Sequence, residues 1–157
     1  MTPPRPNGPA LRRMKSAARL YAVQALFQME QSGQPLDTVR QEFETYRFGE
    51  KIDGDEMAEG HTGLFRHLLE RALTCQARID QMTDRALVDK WPINRIDPTL
   101  RALFRAAGAE LTGGTTPPKV VITEFVEVAR AFFPEARTPK FVNAVLDHMA
   151  RESGPEL

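Results

Sequence analysis

Apolar residues recur at three- and four-residue intervals in segment after segment of this chain, and no run of alternating β-branched residues reaches strand length. An all-α fold follows. Across residues 14–30 nearly every position is apolar or small, with Ala17, Ala18, Leu20, Tyr21, Ala22, Val23, Ala25, Leu26, Phe27 and Met29 in succession. A helix that is apolar around most of its circumference packs on several sides, so this one is expected at the centre. Leu36, Val39, Phe43 and Tyr46 keep helical spacing in a second element opened by Pro35. The acidic run 49–60, with its Asp53-Gly54 turn signal, reads as a loop. Leu64, Phe65, Leu68, Leu69, Ala72 and Cys75 mark a third helix over roughly 61–79, with a short polar helix continuing toward Asp89. Trp91-Pro92 and Asn94 then break the pattern and make the best seam between two helical halves.

The second half is punctuated by start and stop signals. Asp97 at the N-cap and Pro98 at the first helical position open a helix carrying Leu100, Leu103, Phe104, Ala107 and Leu111, which stops at Gly113-Gly114. Pro117-Pro118 starts the next, with Val121, Ile122, Phe125, Ala129 and Phe132, up to Phe133-Pro134. Thr138-Pro139 repeats the cap-and-proline device and launches the last, with Val142, Val145, Leu146 and Met149 inward. The expectation is six to seven helices in two packed groups. A body of this size buries roughly 68 to 70% of the surface its unfolded chain exposes, enough for a proper core. Residues 1–13 read as a flexible, basic, Pro-rich arm, 14–152 as one helical domain with subdomains at about 14–90 and 91–152, and 153–157 as a tail. No repeat of fixed period supports a solenoid.

The chemistry of most enzyme classes is missing its residues. His61, His67 and His148 have no His at i+4 and no His-Glu-x-x-His pattern, so a helical zinc site lacks ligands. The lone Cys75 excludes an internal disulfide and sits at an apolar helical position, where a free thiol behaves as a small hydrophobe. Asp53, Asp55, Glu56 and Glu59 lack the order of a calcium loop and read as solvated acid. Gly113-Gly114-Thr115-Thr116 follows no strand and contains no Gly-Lys-Ser/Thr, so it is a helix stop and not a phosphate loop. No segment approaches the ~18 consecutive apolar residues of a membrane span, and the first 20 residues are prolines and bases instead of a signal core. The sequence therefore implies a cytoplasmic, non-enzymatic protein with no cofactor and no metal.

Charge distribution points the other way, toward a ligand. Twenty-one Lys and Arg balance twenty-one Asp and Glu, yet residues 1–29 hold five bases (Arg5, Arg12, Arg13, Lys15, Arg19) and no acid. Such a segment on a neutral or acidic body suits a polyanion, or else it is a terminus kept soluble by charge. Arg12, Lys15, Ser16 and Arg19 fall at i, i+3, i+4 and i+7, so a helix reaching back to Arg12 puts them on one face. Lys140, Phe141 and Asn143 open the last helix, whose N-terminus offers unpaired backbone donors. Beside the inward-facing Val142, Phe141 points outward or sits at the core edge. An exposed Phe next to Lys and Asn stacks a base, grips a phosphate and reads a base edge; the alternative leaves Phe141 in the core and Asn143 as surface.

Those residues carry a resemblance. Pro139-Lys140-Phe141-Val142-Asn143-Ala144-Val145-Leu146-Asp147 closely resembles the signature ending of the NusB family of transcription antitermination factors. Three further stretches match in order: the run from Ala18 to Phe27, Arg95-Ile96-Asp97 through Arg101 to Glu110-Leu111, and Pro118-Lys119-Val120-Val121-Ile122-Thr123-Glu124. Together they cover essentially the whole body.

The resemblance implies two three-helix bundles that bind boxA-type RNA together with Nus factor E, a ribosomal protein, and so help RNA polymerase read through terminators. By position, its RNA surface would comprise Arg12, Arg13, Lys15 and Arg19 at the start of the first helix, and Arg137, Lys140, Phe141 and Asn143 at the start of the last, with Lys119 in a matching motif. A homodimer is a further possibility for such a chain. Three departures stand out: Arg137 and Thr138 where many members have an acid and Ser, Ala144 where Gly is usual, and Ser16 and Ala17 where some members are basic. Arg137 should favour phosphate nearby. Two other readings remain, a helical adaptor that binds only protein, and a detached module of the kind that precedes some ribosomal RNA cytosine methyltransferases. A complete methyltransferase is excluded because the chain has no Gly-rich cofactor loop and no paired cysteines.

Overall fold

The computed structural model describes residues 7–48, 51–52, 55–56, 60–87 and 96–153. Among them are seven α-helices: α1 (Gly8–Ser32), α2 (Leu36–Glu42), α3 (Thr62–Thr74), α4 (Gln76–Ala86), α5 (Pro98–Gly113), α6 (Pro118–Phe132) and α7 (Arg137–Glu152). The only strands among the described residues are Lys51–Ile52 and Asp55–Glu56, an antiparallel pair inside the expected loop. The Asp53-Gly54 turn, Glu59 and the Trp91-Pro92 seam lie outside the described residues.

α5 is the hub, packing against α1, α3, α4, α6 and α7. Its sequence explains why. Ala102, Ala106, Ala107, Gly108 and Ala109 are all buried, so neighbouring backbones can approach closely on several sides. A Cβ at Gly108 would collide with Ile79 of α4 and press on Met149 of α7 at 3.3 Å. α4 packs on α5 and α7 as well as α3, joining the later helices although its chain position is in the first half. One continuous core results, from Phe43, Phe65 and Leu68 to Phe125, Leu146 and Met149.

Several helix ends differ from expectation for identifiable reasons. α1 begins at Gly8, inside the expected arm, because the Asn7 side chain accepts from the Ala10 N–H at 2.8 Å and Pro9 sits in the first turn, where its missing N–H costs nothing. Thus Arg12 and Arg13 are helical. α2 runs into a π-helical turn at Phe43–Arg47, whose wider winding buries Phe43 but leaves Tyr46 73% exposed. The third helix ends at Cys75 (φ −106°, ψ 17°), so α4 starts earlier than the periodicity suggests. α7 starts at Arg137, without a side-chain cap; Thr138 and Pro139 lie within its first turn, where proline is still tolerated. The Asp97-Pro98 start stands as expected, Asp97 Oδ1 accepting from the Thr99 N–H at 2.7 Å, and so does the stop at Gly114, in the left-handed region at φ 72°.

Candidate nucleic-acid interface

The opening of α1 is held in place by one buried network. Arg19 is 3% exposed; its Nε and Nη2 donate to the two oxygens of buried Glu110 on α5, at 2.7 and 2.8 Å. Its Nη1 donates to Glu124 Oε1 on α6 at 3.0 Å, and the Ser16 hydroxyl donates to the same carboxylate at 2.9 Å. Burial by itself would disfavour the charged guanidinium, but hydrogen bonding and charge from Glu110, with the charge of Glu124, outweigh it, and Arg19 holds its proton more tightly than usual. This corrects the expected role of Arg19. Its guanidinium is consumed by two carboxylates and presents nothing to a ligand. It fixes the roll of α1 against α5 and α6 and so decides which residues face out.

Those outward residues are Arg12 and Arg13, both exposed, and Lys15, half-buried. None of the three makes an ion pair among the described residues. Most other described arginines do: Arg66 bonds Glu44, Arg105 bonds Asp80 and Glu30, and Arg40, Arg47, Arg85, Arg101, Arg130 and Arg151 are likewise paired. Lys119, exposed in the first turn of α6, and Lys140, exposed in the first turn of α7, share the unpaired state of the α1 cluster. Arg78 on α4 is a further cation without an ion pair among the described residues.

At the start of α7, Phe141 sits at the core edge, 37% exposed, its ring edge-on to buried Phe104 at 6.2 Å between centroids. It borders a hollow of about 400 Å³ with Ile96, Asp97, Leu100, Glu135 and Arg137. One part of the ring is anchored and the rest is open. Asn143 is exposed, and Arg137 is exposed but bonded through Nε to Glu135 at 2.7 Å, a surface pair of little energetic weight.

The two clusters are not one patch. α1 and α6 run in the same direction, Ser16 meeting Glu124, Leu20 sharing a groove with Val128 and Ala131, and Val23 sharing another with Phe132. The α1 opening therefore lies toward the end of α6 that begins with Lys119, and α7 starts from the opposite end. The 15 residues of α6 span roughly 22 Å. The α1/α6 groove, about 640 Å³, runs from Arg12 and Arg13 at the α1 start past Glu124 and Glu127 to Val128 and Ala131. These acids escape notice in the sequence because nothing local says that the outer face of α6 adjoins α1. A second groove, of about 460 Å³, lies among Val23, Phe27, Phe43 and Phe132.

Fold and surface together define an all-helical scaffold with exposed, unpaired cations at the starts of three helices, apolar grooves and one half-open aromatic ring. Residues 16–151 match the NusB family. The chain belongs to that family. It is 42% identical over 139 residues, 88% of this chain and 84% of the relative, to the transcription antitermination protein NusB of Agrobacterium fabrum. With its namesake from Brucella abortus (strain S19) it shares 40% over 148 residues, 94% of this chain and 86% of the relative. Among solved structures, T. maritima NusB superposes with a TM-score of 0.71 at 28% identity, covering 89% of this chain and 92% of that one. A crystal structure of antitermination factors NusB and NusE in complex with dsRNA shares the fold, with a TM-score of 0.70 at 21% identity over 87% of this chain and 96% of that one.

Proposed function

We propose that this chain is a non-enzymatic transcription antitermination factor that binds boxA-type single-stranded RNA together with the ribosomal protein serving as Nus factor E, acting in the cytoplasm and reaching the RNA polymerase elongation complex through that assembly. The carrying observation is that Arg12, Arg13, Lys15, Lys119 and Lys140, all near the starts of α1, α6 and α7, make no ion pair among the described residues while most of the other arginines are paired internally. Unpaired cations on a fixed helical face attract phosphate without first breaking a salt bridge. Family membership and the names of the curated relatives support the same reading.

The strand runs lengthwise. Phosphates sit on Arg12, Arg13 and Lys15, the chain follows the α1/α6 groove, and a base stacks on the open part of Phe141 while Lys140 and Arg137 hold phosphate and Asn143 bonds a base edge. Lys119 extends the basic end. Arg19 acts indirectly, by orienting α1.

Titrating a boxA-type oligonucleotide and a scrambled control against the protein, with and without the ribosomal partner, tests this. Tighter binding of the boxA-type strand, enhanced by the partner, is expected; equal weak binding of both strands in both conditions refutes it. The groove at Val23, Phe27, Phe43 and Phe132 favours a protein contact in addition. A helical adaptor without RNA specificity would bind the ribosomal protein in that experiment and ignore RNA sequence.

A further inference from the structure

The α1/α6 groove combines charges of both signs with an apolar lining. Arg12 and Arg13 stand at its α1 start, Glu124 and Glu127 border it along α6, and Ala17, Leu20, Val128 and Ala131 also line it. A run of phosphates facing the acids would be repelled, so a strand that follows the groove turns its bases, not its phosphates, toward Glu124 and Glu127. The two acids also differ. Both oxygens of Glu124 are taken by Ser16 and Arg19. Glu127 is 57% exposed at its side chain and engages only Arg130, through Oε1, among the described residues. Its second oxygen is free to accept.

We infer that this groove is a nucleobase pocket in which Glu127 selects guanine, with Arg12 and Arg13 holding phosphate on its α1-start side. The inference rests on the RNA-binding reading above and adds a specificity-determining residue to it. An ionised carboxylate only accepts hydrogen bonds, so it reads a base edge that only donates. Guanine places its N1–H and N2 amine side by side on the Watson–Crick edge, two donors for one carboxylate: the free oxygen of Glu127 takes one, and Oε1, with a second lone pair beside its bond from Arg130, takes the other. Adenine and cytosine put an acceptor next to their amine, and uracil has one N–H between two carbonyl oxygens. Single-stranded RNA exposes this edge, and the small aliphatic floor lets the base lie flat beneath it. Arg12 and Arg13, about 10 Å along α1 from the level of Glu127, would hold the phosphate on the α1-start side of a base seated there, their charges offsetting the repulsion from Glu127.

The test compares short oligouridines carrying one guanosine with the same strands carrying inosine, which lacks the N2 amine, by fluorescence anisotropy at low salt. For the unaltered protein, inosine should weaken binding about tenfold, the scale of one hydrogen bond to a charged acceptor. In Glu127→Gln the two strands should bind alike, and the exposed site should leave the thermal transition unmoved. Arg12→Ala with Arg13→Ala should weaken both strands equally, leaving the guanosine preference in place. The inference is overturned if the unaltered protein does not distinguish the two strands, if Glu127→Gln keeps the distinction, or if Glu127→Ala tightens every strand alike. Loss of self-association in Glu127→Gln, with base preference unchanged, would make the groove a contact between copies and overturn it too. No binding of any strand would defeat the parent reading itself, whereas salt-dependent binding without guanosine preference defeats only this one.

Discussion

Replacing Arg19 with Ala removes the cation that two carboxylates share at the junction of α1, α5 and α6. Glu110, 1% exposed, would be left buried with its partner gone, while Glu124 can turn to solvent. Breaking a buried pair from one side costs about 3 to 5 kcal/mol, because the remaining charge keeps its desolvation penalty without the compensating attraction. Domains of this size have about 5 to 15 kcal/mol in total and lose about 2 to 4 °C of Tm per kcal/mol, so the midpoint should fall by about 6 to 20 °C. Thermal unfolding followed by circular dichroism measures this, with RNA titration at a temperature where both proteins are folded. Arg12→Ala is the control, expected within about 0.5 kcal/mol of the parent because it removes an exposed side chain with no ion pair. Replacing Arg19 and Glu110 together by Met and Leu should recover most of the loss, since no charge is then stranded. An Arg19→Ala protein that melts like the parent yet loses RNA would refute this reasoning and return Arg19 to the binding face.

Phe141→Ala should weaken RNA binding by about 1 to 3 kcal/mol, the value of one stacked base, while disturbing stability far less than Phe104→Ala, whose ring is fully buried; equal losses of both would place Phe141 wholly in the core. If Arg12, Arg13 and Lys15 each neutralise a phosphate, log K should fall against log salt with a slope of about −2 for a single strand, and a flat dependence would take α1 out of the interface. Stability should decline on acidification below about pH 5. Hydrogen bonding from Arg101, then its charge and that of Arg105, hold the Glu30 carboxyl below the usual range, and Arg66 with Arg40 does the same for Glu44. A carboxyl depressed in the folded state adds stability above its unfolded pKa and loses it as pH falls through the folded value, so Glu30→Gln should flatten that acid slope in a urea-unfolding series; an unchanged slope would show that the pair adds nothing.

The helix start at Asp97-Pro98 was legible because cap and proline act within one turn, whereas at Thr138-Pro139 the same device misplaced the start, α7 beginning at Arg137 without a side-chain cap. Boundaries failed where the deciding interaction is weaker or longer in range. Asn7 caps α1 among prolines that otherwise argue for an arm, and the π-helical turn at Phe43–Arg47 leaves Tyr46 exposed although its spacing looks inward. The candidate site divides in the same way. Phase puts Arg12 on the face of Arg19, yet one is exposed and the other buried, while exposure of Lys140 and Asn143 follows from their place beside inward-facing Val142. The capture of Arg19 was not legible, because Glu110 and Glu124 are 91 and 105 residues away and only the packing of three helices brings them together. The acidic border of the groove was invisible for that reason too. A charge count cannot tell a free arginine from one already spent.

The most direct measurement is a titration of isotopically labelled protein with boxA-type RNA, following backbone amide resonances. The lengthwise track predicts that amides of residues 12–16 and 137–143, together with those lining the α1/α6 groove, move in concert at one saturation point, while α4 stays still. Shifts confined to the groove at Val23, Phe27, Phe43 and Phe132, or changes at only one of the two helix starts, would contradict it.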